Sequence, residues 1–139
     1  MSLITRLPLT RPEKIAIDLA DLSATEIRDL DFSLYDLFAG AARNGQQVVQ
    51  GKTITGCRIH GPGVLLASMG VTFEDVNFGD SRGGMGNLLL RSLGDKAIGS
   101  VPVRDCAFIS CEFYSVGFTG SEDFLQQMMG VATRLVDPQ

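Results

Sequence analysis

The chain is poor in the residue types that most often carry binding or catalytic chemistry. Its 139 residues include no tryptophan, two tyrosines, one histidine and three cysteines. Aromatic platforms on which sugars or bases could stack are therefore scarce. The single histidine, His60, cannot form a multi-histidine metal site. Three cysteines without paired spacing give no disulfide framework, so we expect a reducing, cytoplasmic setting.

Basic residues and long apolar runs are also lacking. Twelve lysines and arginines stand against 16 aspartates and glutamates, which leaves a net charge of −4. Such a balance argues against a sequence-independent nucleic-acid binder and against attachment to an anionic membrane surface. No apolar run approaches the roughly 20 residues of a membrane span. The first 14 residues hold no continuous apolar stretch, so we expect no signal peptide.

The length fits one domain, and we assign residues 1–139 to it. A chain of this size can bury roughly 68% of its unfolded surface in one core. Pro8 and Pro12 predict an irregular arm over residues 1–12. The alternation of Ile15, Ile17 and Leu19 with polar or small residues then predicts a half-buried strand.

Residues 20–43 have two interpretations. In the first, Ser23 and Glu26 form a capping box, and a helix follows with apolar residues at helical spacing. In the second, the chain forms extended coils with an apolar residue at every fifth position. We favour a helix over residues 33–43, ended by Asn44 and Gly45, because this stretch has high helix propensity. The fifth-position residues are Leu22, Ile27, Phe32 and Leu37.

Three later segments share one template of apolar, polar and turn-forming positions. Residues 54–59, 73–78 and 103–108 begin 19 and 30 residues apart, and residues 79–96 would be a loop insertion. Inward positions of stacked strands must be apolar, and tight turns need residues that accept positive φ. The template predicts turn positions at Gly56, Asp75 and Asp105, one interior column of Cys57, Val76 and Cys106, and another of Ile59, Phe78 and Phe108.

A five-residue spacing is clearest between residues 103 and 120. Phe108, Phe113 and Phe118 recur at this interval, and each follows a small or branched apolar residue by two positions: Cys106, Cys111 and Val116. This run resembles pentapeptide-repeat proteins, and the wider pattern resembles the right-handed parallel β-helix group. The resemblance implies a mainly β fold, a short right-handed parallel β-helix (solenoid) with N-terminal and C-terminal capping helices.

The C-terminal residues 121–139 are predicted to form a helix and a tail. Ser121 is the expected N-cap, and Glu122 and Asp123 suit the positive end of the helix. Phe124, Leu125 and Met128 would form the contact face, and Gly130 would end the helix.

The chemistry-bearing residues have structural interpretations that we favour. The three cysteines fit interior positions as small apolar groups, and His60 is expected to face solvent. The Gly-rich residues 79–87 match no phosphate-binding motif and are expected to form a surface loop. The Leu88–Leu90 patch either packs on the body or forms a subunit contact.

Four carboxylates either line a groove, as in enzymes that cleave sugars, or serve as turn and solvent-facing residues: Glu74, Asp75, Asp105 and Glu112. If stacked, Arg58 and Arg104 would form exposed ion pairs with Asp75 and Asp105.

These observations favour a non-catalytic structural or protein-interaction module that forms a homo-oligomer or binds another protein. We assign no catalytic, cofactor-binding or metal-binding residue, and we expect neither nucleic acid nor membrane as a partner. One alternative, which the β-helix resemblance implies, is a carbohydrate-active lyase or hydrolase. Another is an acidic DNA mimic, which the pentapeptide resemblance implies.

Overall fold

The computed structural model describes residues 18–94 and 96–136. Its helices are α1 (Leu19–Leu22), α2 (Leu34–Arg43) and α3 (Glu122–Val136), with a 3-10 helix at Met85–Leu88. Its strands are β1 (Glu26–Arg28), β2 (Asp31–Ser33), β3 (Val49–Gln50), β4 (Thr53–Thr55), β5 (Arg58–Ala67), β6 (Thr72–Glu74), β7 (Val101–Arg104), β8 (Ala107–Ile109) and β9 (Glu112–Gly120).

The strands form two small parallel sheets with helices beside them. One sheet has the order β1-β4-β8-β6, and the other has the order β2-β5-β7-β3 with β9 paired to β5. The predicted right-handed parallel β-helix with capping helices is therefore wrong, and the arrangement is of the α/β kind. The prediction stacked repeats in chain order, whereas β8 lies between the earlier strands β4 and β6. Pairing partners are thus set by packing between distant segments.

The register of the repeat was also misassigned by one five-residue step. Phe108 pairs with Ile54 on one side and with Phe73 on the other, although the template aligned Val103 with them. Ile59 pairs with Phe113 rather than lying in a column with Phe108. The two predicted columns are therefore wrong. A spacing of five makes successive phenylalanines equivalent in the sequence pattern, so the pattern alone does not fix the register.

The predicted turn chemistry is confirmed. Gly56, Asp75 and Asp105 have φ values of +66°, +54° and +52°. Side chains rarely accept this region, but aspartate tolerates it because its carboxylate can bond locally. At Gly56 the absence of a side chain is also a spatial requirement, since a Cβ would lie 2.4 Å from Oδ1 of Asp29.

Residues 20–43 combine both interpretations. All four fifth-position residues are buried, and Ile27 and Phe32 lie on strands β1 and β2. The helix over residues 33–43 is confirmed as α2, but its capping box is formed by Ser33 and Asp36 rather than by Ser23 and Glu26. Leu19, predicted on a strand, lies in α1. The rest of that strand and the arm at 1–12 lie outside the described residues.

The core is dominated by phenylalanine. Phe108, Phe113 and Phe118 are fully buried, and Phe78 is 5% exposed. Ring centroids of neighbouring phenylalanines are 5.1–6.2 Å apart, and Phe73 joins this group from the edge strand β6. The chain therefore builds its interior from aromatic rings that meet across both sheets.

The C-terminal helix and the 79–96 segment complete this core. The Ser121 hydroxyl accepts a hydrogen bond from the Phe124 amide, which confirms the N-cap, and Leu125 and Met128 are buried as predicted. The predicted end at Gly130 is wrong, because α3 continues to Val136. The 79–96 segment is more than a surface loop, since its 3-10 helix buries Met85 and Leu88.

Candidate functional sites

A row of charged side chains crosses three strands of the five-stranded sheet. Asp31 on β2 pairs with Arg58 on β5, and Arg58 pairs with Glu112 on β9. The Arg58 guanidinium lies 3.9 Å from an Asp31 oxygen and 3.7 Å from a Glu112 oxygen. Glu112 is only 2% exposed. Its carboxylate is thus buried beside a cation, contrary to the expectation of a groove or solvent-facing residue.

Tyr114 and His60 extend this charged row. The Tyr114 hydroxyl donates a hydrogen bond to Oε1 of Glu112 at 2.5 Å. The tyrosine ring also stacks on His60, with centroids 5.2 Å apart and planes inclined by 16°. His60 is exposed, as predicted. Glu112 therefore has two donor groups already beside it, an arrangement that fixes a carboxylate in place.

The remaining predicted carboxylates do not join Glu112. Glu74, Asp75 and Asp105 are exposed. Asp75 accepts a hydrogen bond from Ser110 at 3.1 Å. Arg104 donates to Gln50 at 2.7 Å. Within residues 18–94 and 96–136, neither Arg58 nor Arg104 forms the ion pair with Asp75 or Asp105 that was considered.

The three cysteines are core residues, as predicted. Cys57, Cys106 and Cys111 are each 1% exposed, and their thiols donate to backbone carbonyls at 3.3–3.7 Å. Burial raises the pKa of all three thiols, and it raises the pKa of Cys57 to about 11. Across residues 18–94 and 96–136, His, Cys, Asp and Glu side chains form no group suited to a metal ion.

Lys52 is a buried cation that the sequence analysis missed. It is 3% exposed, and its ammonium donates to the Ala24 carbonyl at 2.7 Å. Burial lowers the pKa of this side chain. A lysine between a glycine and a threonine gives no sequence signal for burial, and the carbonyl that it meets lies 28 residues earlier in the chain.

Cys57 gives a prediction for alkaline pH. Because the folded pKa of about 11 lies above the ordinary 9.0, the native thiol keeps its proton where the unfolded chain has lost it. The contribution of Cys57 is fully present below pH 9 and is lost as pH rises towards 11. We expect wild type to lose stability relative to Cys57→Val across this window. Urea unfolding of both proteins at each pH measures the difference, and a constant difference would contradict it.

The most exposed apolar side chains of the described chain gather around residues 90–98. Leu93 and Ile98 are 105% and 93% exposed. A groove of about 360 Å³ lies between residues 89–91 and α3, and we call it the Leu90 groove. It is lined by Leu89, Leu90, Arg91, Leu125, Gln126 and Met129.

A larger cavity of about 680 Å³ lies on the other side of Arg91, where β5 and β9 end and α3 begins. Met69, which is 78% exposed, lines it. Together the groove, the cavity and residues 91–94 and 96–98 form what we call the α3 face. In the Leu88–Leu90 patch, Leu88 packs on the core and Leu90 is 47% exposed, and a subunit contact through this patch stays a prediction.

Charged side chains of both signs lie together around the larger cavity. Arg91 and Lys96 lie on the segment, while Glu122 and Asp123 lie in the first turn of α3, and all four line the larger cavity. Arg91 pairs with Glu122 through two contacts, and both side chains remain more than half exposed. Among the described residues, the lining of this cavity thus carries two charges of each sign.

The chain matches no family model, no curated protein and no solved structure. The resemblance of residues 106–120 to pentapeptide repeats therefore stays a prediction from the sequence. Over the described ranges, 18–94 and 96–136, none of the helices has the length and apolar character needed to cross a membrane.

Proposed function

We propose that this protein is a non-catalytic, self-associating interaction module whose contact surface is the α3 face. The observation that carries the proposal is the nearly complete exposure of Leu93 and Ile98, which follow in the chain the residues 89–91 that line the apolar Leu90 groove. Scattered exposed apolar residues are ordinary, but contiguous apolar surface with a polar rim is typical of interaction sites.

The chemistry of the reactive side chains supports a non-catalytic role. A thiol acts as a nucleophile in its ionised form, yet burial raises the pKa of each cysteine here. Glu112, the most buried of the predicted carboxylates, lies between Arg58 and Tyr114. These groups are engaged within the fold, whereas Met69, Leu93 and Ile98 on the α3 face are exposed to solvent.

Light scattering after size-exclusion chromatography tests self-association. We expect the wild-type mass to rise above the monomer value of 14.9 kDa as concentration increases to about 1 mM. The double variant Leu93→Ser/Ile98→Ser should remain monomeric, because it removes the apolar contact area.

Tyr35→Ser is the matched control for this experiment. Tyr35 is a large side chain, 71% exposed, on α2 rather than on the α3 face. Its removal should leave the association unchanged. A wild-type protein that stays at 14.9 kDa over the whole range would overturn the proposed function.

A further inference from the structure

We infer that Asn44 is a site of spontaneous deamidation, and that the product loosens the contact between helices α1 and α2. The inference is independent of the α3 face. It begins from the pair Asn44-Gly45, in which the residue after the asparagine has no side chain. Asparagine is among the chemically labile residues, and a following glycine leaves its backbone nitrogen unhindered.

The reaction needs only the chain and water. The backbone nitrogen of Gly45 attacks Cγ of Asn44 and closes a cyclic imide, and the side-chain nitrogen leaves as ammonia, taking the proton of the Gly45 amide. Water then adds to one of the two imide carbonyls and opens the ring. The product carries a carboxylate and is either an aspartate or an isoaspartate, in which the main chain runs through the former side chain.

The structure leaves this pair accessible. Asn44 and Gly45 are both exposed in the turn that follows α2. Their backbone amides donate to the Ala41 and Ala42 carbonyls at 3.0 and 2.9 Å. These bonds belong to the end of a helix, and helix ends open more readily than helix interiors. Each opening frees the Gly45 nitrogen to attack.

The two other asparagines of the chain are internal controls. Asn77 precedes Phe78, and Asn87 precedes Leu88. Each is thus followed by a bulky residue, and both Phe78 and Leu88 are buried. The Asn87 side chain also donates to two backbone carbonyls, at 2.9 and 3.2 Å. Deamidation should therefore be concentrated at Asn44.

Deamidation at Asn44 removes a hydrogen bond that joins the ends of two helices. Nδ2 of Asn44 donates to the carbonyl of Ser23, the C-cap residue of α1, at 3.1 Å. A carboxylate in its place has no proton to donate and repels the carbonyl oxygen. It also adds a negative charge at the C-terminal end of α2, where the helix dipole disfavours anions.

The effect should be felt in α1, because this helix rests directly on α2. A Cβ at Gly40 would lie 2.7 Å from Cβ of Leu22, a fully buried residue of α1. The helix has four residues, too few to be stable without such contacts. Loss of the bond to Asn44 therefore lets α1 open more often.

Peptide mapping by mass spectrometry tests the site. Wild type is incubated in mildly alkaline buffer, and the fraction deamidated at each asparagine is followed over several weeks. We expect this fraction to rise several-fold faster at Asn44 than at Asn77 or Asn87. Similar rates at the three positions, or an Asn44 that stays intact, would overturn the assignment of the site.

The variant Asn44→Asp tests the consequence, and Gln47→Glu is its matched control. Gln47 is also exposed and lies three residues further along, so the control makes the same change from amide to acid without removing the bond to Ser23. We expect a lower urea midpoint for Asn44→Asp and a nearly unchanged one for Gln47→Glu.

Hydrogen exchange locates the change within the chain. The Ser23 amide donates to the Leu19 carbonyl at 3.1 Å, and its exchange should be several-fold faster in Asn44→Asp and in deamidated wild type. Equal exchange in Asn44→Asp, Gln47→Glu and wild type would overturn the predicted loosening of α1.

Discussion

Phe113→Ala is expected to lower the free energy of unfolding by about 3–5 kcal/mol. Phe113 is fully buried and contacts rings on both sides, with centroids 5.6 Å from Phe108 and 5.1 Å from Phe118. The neighbouring rings come from different strands and cannot collapse together without moving the sheets, so the substitution leaves a cavity. Urea denaturation followed by circular dichroism measures the loss.

Tyr35→Ala is the control for this cavity. The side chain is of similar size but 71% exposed, so its removal should change stability by less than about 0.5 kcal/mol. Phe113→Leu should fall between the two, because it keeps an apolar side chain in the site. A loss below about 1 kcal/mol for Phe113→Ala would contradict the aromatic core described above.

Arg58→Ala is expected to lower the free energy of unfolding by about 3–5 kcal/mol. The change removes the cation beside Glu112, which is 2% exposed, and leaves that buried carboxylate without a neighbouring positive charge. It also removes the neighbour of Asp31 across β2 and β5. The same denaturation experiment measures this effect.

Arg28→Ala is the matched control, because the charged atoms of Arg28 and Glu26 are as far apart as those of Arg58 and Glu112. Arg28 and Glu26 are also 3.7 Å apart, but their side chains are 63% and 67% exposed. Screening by water limits such a pair to under about 1 kcal/mol. Equal losses for Arg28→Ala and Arg58→Ala would show that burial does not strengthen the Arg58 contacts.

A double variant tests the origin of the Arg58 effect. Two Arg58 nitrogens, Nε and Nη2, are buried without a hydrogen-bond acceptor in the described part of the chain, so the native pair itself includes a desolvation cost. Arg58→Met/Glu112→Leu should therefore be more stable than Arg58→Ala alone. A double variant less stable than the single one would contradict this account.

The sequence predicted local features well because they depend on a few neighbouring residues. The helix over residues 33–43, the Ser121 cap and the turns at Asp75 and Asp105 all follow from propensity, capping and backbone conformation. Burial of the cysteines followed from their place in an apolar pattern. None of these features required knowledge of which distant segments meet.

The strand order and the charged row could not be predicted without knowing which distant segments meet. Aligning residues 54–59 with 108–113, one five-residue step beyond the predicted register, places Arg58 and Glu112 at the same position. This alignment would have indicated that Arg58 and Glu112 pair. Residues 103–108 fit the same template, however, and were aligned with residues 54–59 instead. Without a register, Glu112 had no identified partner and was assigned to the outside.

Composition and spacing by themselves determined the burial of the repeated apolar residues and of the cysteines, the turns at Gly56, Asp75 and Asp105, the position of α2 and the start of α3. Tertiary structure alone decided the strand order, the burial of Glu112 and Lys52, and the exposure of Leu93. The reason is physical: burial patterns repeat every five residues and are satisfied by several registers. Only the simultaneous packing of aromatic rings and charges from distant strands selects one of them.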